Sequence, residues 1–349
     1  MSFLLTLVSF ASTSFAASTL SVEFLNVGQG DAVLIRTSDG HTALIDGGKP
    51  SGNADDQLAA LGVTTIDVLV ASHADYDHAG VHEDILAKFD VVEYVTNGLS
   101  HTSQSYARIK SLAAGQAATG ALIETDGSKL APGEDLGWGD LHLYVLPPPS
   151  SITSSDQNLH SIGILVEYGD FRSLITGDSE KKETDAWLAT GLYNDLIADI
   201  DVYKAIHHGS KDGDANNTPW LDVALPENVV IGVGPNSYGH PTAEALATYS
   251  TYGAEVWRTD LDGRVTANVW TTGGYVLSTE GKGTVFVSGD PIPGDGSYTC
   301  PSTHSVKGNI GSEKIYHVSG GAYYSRTIPE ECFASTTDAA AAGYRASTR

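Results

Sequence analysis

The sequence predicts an α/β protein built as a four-layer αββα sandwich, with two mixed β-sheets packed face to face and helices on both outer surfaces. Roughly a dozen apolar runs have the length and β-branched content of strands. Helical stretches lie between sets of these runs and divide them into two similar halves. The chain has 349 residues, 41% of them hydrophobic, which is enough for one large core and a small additional module.

The first half begins with antiparallel strands. Three strand-like runs at 20–27, 32–36 and 42–48 are separated by a tight turn at Gly28–Asp31 and a hairpin signal at Ser38–Gly40. This start differs from a parallel nucleotide-binding βαβ unit, because no helix follows the first strand and the third glycine of that motif is missing. The half continues with a strand at 66–71, a helix at 81–89, a strand at 91–95 and a helix at 104–112.

The second half repeats the alternation of strands and helices. Its predicted elements are a strand at 141–146 stopped by three prolines, a hairpin of 161–168 and 171–175, a helix at 180–190, strands at 201–206 and 229–233, a helix at 243–250, a strand at 255–257 and a hairpin at 264–278. Every candidate metal ligand follows the end of a strand. These groups are therefore expected to gather at one edge of the sandwich.

The densest group of candidate ligands is Ser72–Gly80, which reads SHADYDHAG and follows a buried strand. It offers two imidazoles and two carboxylates, from His73, Asp75, Asp77 and His78. Positions 73, 75 and 77 would point the same way if the extended conformation continued, with His78 following as the chain turns. These groups would repel or desolvate one another in an empty pocket, and a bound dication removes that conflict. A solvated polar loop is the weaker alternative.

The N-terminus indicates export. Residues 1–16 carry no charged side chain and end in a small-x-small pattern at Ser14–Ala16, which is typical of a signal peptide. Serine and threonine interrupt the apolar run, so we expect no transmembrane segment after signal cleavage and a secreted or periplasmic protein. Residues 17–290 then form the sandwich and 291–349 a small β-rich C-terminal module.

The net charge is −24, and no cluster of lysine and arginine appears in the sequence. An acidic surface repels polyanions at long range, so no stable complex with nucleic acid is expected. A phosphate-ester substrate remains compatible with this charge, because bound metals would supply local positive charge.

The two cysteines, Cys300 and Cys332, both lie in the C-terminal module. In an oxidising compartment they would pair, with a stabilisation of roughly 3 to 4 kcal/mol in the chain-entropy model. The alternative is a zinc site that adds His304 or His317, for which no fourth ligand is evident.

Six segments, in order along residues 20–280, resemble the metallo-β-lactamase-fold hydrolases. The resemblance is closest to the soluble domain of ComEC-type competence (DNA-uptake) proteins. The segments read FLNVGQGD at 24–31, LIDGG at 44–48, SHADYDHAG at 72–80, LITGD at 174–178, HHGS at 207–210 and NSYGHP at 236–241. We expect no counterpart of the transmembrane channel of the competence proteins in this protein.

The resemblance implies a two-metal site and a role for each matching residue. The metal ligands would be His73, Asp75, Asp77, His78, His160, Asp178, His207 and His208. Asp178 would bridge the two cations, and one of the adjacent histidines 207 and 208 would complete the second site. His160 stands where the family has its middle histidine, or else is a loop histidine facing solvent. The commoner family form has histidine in place of Asp75.

Other residues are assigned supporting or catalytic roles. Asp46 would hydrogen-bond a ligand histidine or simply cap a strand turn, and Asp31 would support the ligands or line the cleft with Tyr238. Asp77 and His240 are the candidate catalytic residues. His240 would donate a proton or hold a phosphate oxygen, or would be an ordinary turn residue.

The C-terminal module resembles a small secreted bacterial unit called the sunset domain, through VKGNI at 306–310, KIYH at 314–317 and the glycine and tyrosine pairs at 320–324. Such a compact β unit needs a covalent cross-link for stability, in keeping with a Cys300–Cys332 bridge. The module would dock to an envelope component.

These features predict a secreted hydrolase with two divalent cations, Zn²⁺ or Mn²⁺. Two such cations acidify a water molecule, and the resulting hydroxide attacks phosphorus or an acyl carbon. The substrate would be a small phosphodiester or nucleic acid. The alternatives are a smaller ester (a phosphocholine ester, a lactone or a β-lactam), and an envelope-binding protein with a vestigial metal site.

Overall fold

The computed structural model describes residues 19–116, 121–124, 134–271, 273–288, 292–294, 296–300, 304–311 and 313–347. The predicted signal peptide at 1–16 and the predicted domain boundary at 290–291 lie outside these residues.

Within the described residues, the first half of the chain supplies six strands and four helices. They are β1 (Leu20–Phe24), β2 (Val33–Thr37), β3 (Thr42–Ile45), α1 (Ala54–Ala60), β4 (Thr65–Val70), α2 (Tyr76–Ala79), α3 (His82–Lys88), β5 (Asp90–Thr96), α4 (Gln104–Gln116) and β6 (Ala121–Glu124). Strands β3 to β6 pair in parallel. Parallel strands are covered on both faces, which explains the nearly continuous apolar sequence of β4.

The second half supplies the next strands and helices in the predicted alternation. They are β7 (Leu141–Leu146), β8 (Gly163–Tyr168), β9 (Phe171–Ile175), α5 (Lys181–Thr190), β10 (Val202–Lys204), α6 (Thr218–Ala224), β11 (Asn228–Ile231), α7 (Ala243–Thr251), β12 (Glu255–Arg258), α8 (Thr259–Asp262), β13 (Val265–Val269), β14 (Tyr275–Thr279) and β15 (Gly283–Ser288).

Two large sheets result. The nine-stranded sheet has the order β15-β14-β13-β1-β2-β3-β4-β5-β6, and the six-stranded sheet has the order β12-β11-β10-β9-β8-β7. The late strand β13 returns to the first sheet and pairs antiparallel with β1, with Val22 opposite Ala267. The end of the domain therefore closes onto its beginning.

Buried residues form three layers of apolar packing. One cluster lies between the sheets and joins Val22 and Ile35 of the first to Leu143 and Ile164 of the second. A second cluster packs α1, α3 and α4 on the outer face of the first sheet, and a third packs α5, α6 and α7 on the outer face of the second. Each fully buried aliphatic side chain contributes about 1.5–3 kcal/mol. The predicted four-layer sandwich is confirmed.

The C-terminal module forms its own five-stranded sheet. Its elements are β16 (Ile292–Pro293), β17 (Val306–Ile310), β18 (Lys314–His317), β19 (Glu331–Phe333), α9 (Thr336–Ala341) and β20 (Arg345–Ala346). A small core of Val306, Phe333, Ala339 and Tyr344 lies beneath it. Cys300 and Cys332 form a disulfide, which confirms the predicted pairing over the zinc alternative. Among the described residues, no helix has the length and apolar character needed to cross a bilayer.

Candidate metal centre

The candidate ligands gather at one edge of the sandwich, as the sequence predicts. Asp46 follows β3, His73 follows β4, Asp178 follows β9 and the pair His207-His208 follows β10. All four strands end at this edge. The sheets thus bring together residues that are far apart in the sequence.

One group consists of His73, His78 and Asp178, whose ligand atoms all lie within 4.8 Å of one another. His78 Nε2 is 3.1 Å from Asp178 Oδ1. The rings of His73 and His78 have centroids 4.1 Å apart. All three residues are buried. Two imidazoles and a carboxylate at this spacing are a donor set suited to a divalent cation.

A second group shares His78 and adds Asp77 and His208. His208 Nε2 lies 3.7 Å from Asp77 Oδ2 and 3.6 Å from Asp178 Oδ2. His207 Nε2 is also 3.6 Å from Asp178 Oδ2. Asp178 therefore stands between the two groups, in the position expected of a bridging carboxylate.

The histidine hydrogen bonds leave the inward nitrogens free. His78 Nδ1 donates to Asp46 Oδ2 at 2.8 Å, and His208 Nδ1 donates to the Gly232 carbonyl at 2.8 Å. The Nε2 atoms of His73, His78 and His208 and Asp178 Oδ1 are buried without a hydrogen-bond partner. Unpaired polar atoms that converge are costly unless something satisfies them. A divalent cation fits this donor set.

The charges in this pocket shift the pKa values of its groups in opposite directions. Burial, reinforced by the neighbouring His78, lowers the pKa of His73. Burial also opposes charge on His78, but Asp178 and Asp46 outweigh it and hold the pKa of that imidazole well above its usual range. Burial would raise the pKa of Asp178, yet the imidazoles of His78 and His208 keep it well below the usual range. The pocket attracts positive charge to the position where a cation would bind.

Asp46 orients the histidines of the first group through hydrogen bonds on the side away from the metal position. Its carboxylate accepts hydrogen bonds from the Ser72 backbone N–H at 2.8 Å and from the Ser72 hydroxyl at 2.7 Å, besides that from His78. Ser72 Oγ lies 3.0 Å from His73 Nδ1. Because the serine hydroxyl donates to Asp46, it accepts from His73. One carboxylate therefore orients two imidazoles, which is the supporting role proposed for Asp46.

Asp31 lies behind the second group as an ion-pair partner of His208 and Lys204. Its Oδ1 lies 3.1 Å from His208 Nδ1, and its Oδ2 lies 2.7 Å from Lys204 Nζ. Both side chains of the Asp31–Lys204 pair are only 1% exposed. Burial alone would raise the pKa of Asp31, but Lys204 and His208 lower it to about 2. The carboxylate is therefore ionised at neutral pH.

The backbone at this edge adopts conformations that most residues avoid. Asp46, His207 and His208 have φ values of 57°, 49° and 53°. The left-handed region costs roughly 1–2 kcal/mol per non-glycine residue, and such strain concentrates at functional sites. Gly177 has φ +55°, and a Cβ there would lie 2.8 Å from Ser72 Oγ. A glycine is required at this point for the turn that presents Asp178.

Three predicted ligands lie outside the groups: Asp75, His160 and His207, although His207 Nε2 is only 3.6 Å from Asp178 Oδ2. Asp75 is 40% exposed, with its Oδ2 3.7 Å from His73 Nε2 and its Oδ1 3.9 Å from His101 Nε2. The expected alternation of 73, 75 and 77 was wrong, because helix α2 begins at Tyr76 and carries Asp77 and His78 on a turn of helix. Asp75 therefore lies at the rim.

His160 is the clearest departure from the family pattern. It ends a 3₁₀ turn, and its Nε2 donates to the Ser154 carbonyl at 3.0 Å. The structure does not bring it into either group. Its neighbour Ser161 faces the site instead, since Ser161 Oγ accepts a hydrogen bond from the Asp178 N–H at 3.3 Å.

His240 lies beside the second group. Its ring centroid is 5.4 Å from that of His207 and 6.4 Å from that of His208. The side chain is buried and its Nδ1 has no hydrogen-bond partner. Burial and the two neighbouring imidazoles lower its pKa. Tyr238, on the same loop, stacks on it with centroids 5.7 Å apart.

Sequence reasoning missed Lys204, Ser72 and Ser161. The signal for Lys204 was present, since a lysine inside the apolar run VYKAI is rarely buried without a carboxylate partner. Ser72 and Ser161 gave no signal of their own, because serine is common at strand ends.

Comparisons with known proteins agree with this geometry. A family profile described as the Metallo-beta-lactamase superfamily matches residues 25–218, more than half of the chain. A second profile, described as ArfC, matches residues 287–346, which is nearly the whole C-terminal module. The sunset-domain resemblance stays a prediction.

Three curated relatives match over most of the sandwich. Recombination protein 2 of Haemophilus influenzae is 29% identical over 258 residues, which are 72% of this chain and 29% of that protein. ComE operon protein 3 of Bacillus subtilis is 26% identical over 264 residues, 70% of this chain and 32% of that protein. Competence protein ComA of Neisseria gonorrhoeae is 27% identical over 247 residues, 70% of this chain and 31% of that protein. The chain spans about 30% of the length of these relatives.

Solved structures also resemble the chain. The metallo-beta-lactamase fold protein YhfI from Bacillus subtilis is 10% identical, with a TM-score of 0.43, and the match covers 71% of this chain and 99% of that one. Tm1679, described as a metal-dependent hydrolase of the beta-lactamase superfamily, is 13% identical, with a TM-score of 0.45, covering 71% and 98%. On the family profile and the competence-protein relatives, the chain is a member of the metallo-beta-lactamase superfamily of metal-dependent hydrolases.

Proposed function

We propose that this protein is an exported phosphodiesterase that acts on small phosphodiesters or short nucleic acids with two divalent cations. The observation that carries the proposal is the convergence of buried, unpartnered ligand atoms from His73, His78, His208 and Asp178. The similarity to competence proteins supports a phosphodiester substrate.

Each of the two groups would bind one cation. His73, His78 and Asp178 would hold one cation. Asp77 and His208 would hold the other together with Asp178, whose Oδ2 lies 3.6 Å from His208 Nε2. When bound, divalent cations supply Lewis acidity that acidifies water and neutralises charge on a phosphoryl group. Asp46 and Asp31 keep the histidine Nε2 atoms aimed inward. Zn²⁺ and Mn²⁺ are the candidate cations, since nitrogen donors suit zinc and the carboxylates leave manganese competitive.

His240 is placed to act on substrate. Its imidazole lies at the side of the second group without a partner on Nδ1, within a loop that faces the same edge. Its role is to hold a substrate oxygen or to deliver a proton to the leaving group. Asp77, partly exposed beside His208, is placed to accept a proton from the attacking water.

The rim of the site favours short substrates. Glu180 lies near Asp156 and Asp212, and its pKa is raised by partial burial and then by those carboxylates. Asp75 adds a further exposed carboxylate. A rim of this charge repels a long polyanion, in line with the net charge of −24. The same rim supports the alternative of a smaller ester, such as a phosphocholine ester, a lactone or a β-lactam.

Export is part of the proposal. The predicted 16-residue signal peptide and the Cys300–Cys332 disulfide both suit an oxidising extracytoplasmic compartment. In this setting the C-terminal module would dock the hydrolase to an envelope component.

The experiment combines metal analysis with turnover of bis-p-nitrophenyl phosphate. The wild-type protein should bind two divalent cations and hydrolyse the substrate, whereas D178A should lose both metal binding and turnover, because Asp178 belongs to the first group and its Oδ2 lies 3.6 Å from His208 Nε2 of the second. D39A, in the exposed turn between β2 and β3, is the matched control and should behave as the wild type.

A panel of substrates then separates the alternatives. Turnover of a phosphocholine ester, a lactone or a β-lactam, without turnover of phosphodiesters, would replace the phosphodiesterase proposal with the smaller-ester function. A wild-type protein that binds no metal and turns over nothing would indicate an envelope-binding protein with a vestigial site.

A further inference from the structure

The loop that follows β11 is held in one conformation by a single side chain. Asn236 Oδ1 accepts hydrogen bonds from the backbone N–H groups of Tyr238, Gly239 and His240, at 3.1, 2.9 and 3.1 Å. Its Nδ2 donates to the carbonyls of Gly234 and His240, each at 2.9 Å. Five hydrogen bonds from one amide fix the positions from which Tyr238 and His240 project.

Aromatic rings lead from the metal centre to the outside of the protein. His207 Nε2 is 3.6 Å from Asp178, the His240 ring follows at 5.4 Å from His207, and the Tyr238 ring follows at 5.7 Å from His240. The planes of Tyr238 and His240 lie within 29° of each other. Tyr238 is 68% exposed and is among the most exposed large apolar side chains of the described residues.

We propose that Tyr238 is a stacking platform for the planar group attached to the scissile phosphate, and so selects nucleotides and aryl esters over alkyl phosphates. The proposal rests on the phosphodiesterase function proposed above. Stacking on an aromatic ring tolerates every base and needs no positive charge, so it suits a site with an acidic rim. The Asn236 hydrogen bonds give the ring its orientation before substrate arrives, which lowers the entropy cost of binding.

The test measures binding, so that it does not depend on turnover. Thymidine monophosphate and methyl phosphate are titrated by calorimetry into the metal-loaded protein, because they share the phosphate group and differ in the base-bearing nucleoside. We expect the wild type to bind thymidine monophosphate about tenfold more tightly than methyl phosphate. Y238A should bind the two equally, because it loses the part of the thymidine monophosphate affinity that stacking contributes, and Y238F should keep the wild-type preference.

Y298A is the matched control, since Tyr298 is 56% exposed in the C-terminal module and should not affect either ligand. A wild type without preference for the nucleotide, or a Y238A variant that keeps the preference, would overturn the stacking role. Base-dependent binding without any phosphodiester turnover would instead count against the proposed function alone.

Discussion

The buried pair of Lys204 and Asp31 offers a quantitative test of how the metal centre is supported. Its Nζ–Oδ2 distance is 2.7 Å and both side chains are 1% exposed. Lys204→Met keeps an unbranched side chain, shorter only by the terminal nitrogen, and removes its charge. Asp31 would then be a buried carboxylate without its ammonium partner, which costs about 3–5 kcal/mol of unfolding free energy.

The chain contains a matched control for this change. Lys181 and Asp185 form an ion pair of similar length, 2.6 Å, but their side chains are 36% and 47% exposed. Solvent screens such a pair, so Lys181→Met should cost less than about 0.5 kcal/mol. The two substitutions remove the same group from the same kind of pair, and burial is the main difference between them.

The assay is unfolding in guanidinium chloride at pH 7 with a chelator present, followed by circular dichroism. The double variant K204M/D31N should recover much of the loss, because it leaves no unpaired charge in the interior. The electrostatic reasoning for Asp31 is refuted if K204M lowers the free energy of unfolding by no more than K181M does. It is also refuted if the losses caused by K204M and D31N simply add in the double variant.

Three further predictions concern other parts of the chain. His160→Ala should retain the wild-type metal content, measured by elemental analysis, while His73→Ala should lose at least one cation; loss of metal in H160A would restore His160 as a ligand. Burial raises the pKa of Asp201 to about 7, so the folded state favours the protonated carboxyl group. The stability gained from this preference is fully present below pH 4 and is lost as the pH rises to 7. Asp201→Asn, which keeps an acceptor for the Arg172 N–H, should therefore gain stability relative to wild type by about 2 kcal/mol between pH 5 and pH 7, and an advantage independent of pH would contradict this. Replacing Cys300 and Cys332 by serine should destabilise the C-terminal module by roughly 3–4 kcal/mol and leave metal content unchanged, which calorimetry and metal analysis would check.

The position of the site was predictable because it depends on where strands end. The apolar runs before His73, Asp178 and His207 are easy to recognise, and the layered fold brings the ends of such strands to one edge. Local conformation was less predictable. The helix that begins at Tyr76 turns Asp77 and His78 toward the centre and leaves Asp75 at the rim, although all three lie in one short motif.

The family resemblance was least reliable for assigning a single residue, His160, as a metal ligand. His160 and Ser161 are adjacent, and the 3₁₀ turn at Asn158–His160 directs the histidine to the Ser154 carbonyl and the serine to Asp178. A sequence pattern cannot predict which of two adjacent residues at such a turn faces the metal centre. The answer depends on the hydrogen bonds that each side chain forms in the folded protein.

The groups that support the ligands were the hardest to foresee, because their partners come from distant parts of the chain. Lys204 is an anomaly within an apolar strand, but its partner Asp31 lies in the first turn of the domain. Gly232 receives the His208 hydrogen bond, and a Cβ at Gly232 would lie 2.5 Å from Asp31 Oδ1. The orientation of one histidine therefore depends on a carboxylate, an ammonium and a glycine from three different strand ends. Such an arrangement follows from packing two sheets together, and no single motif carries it.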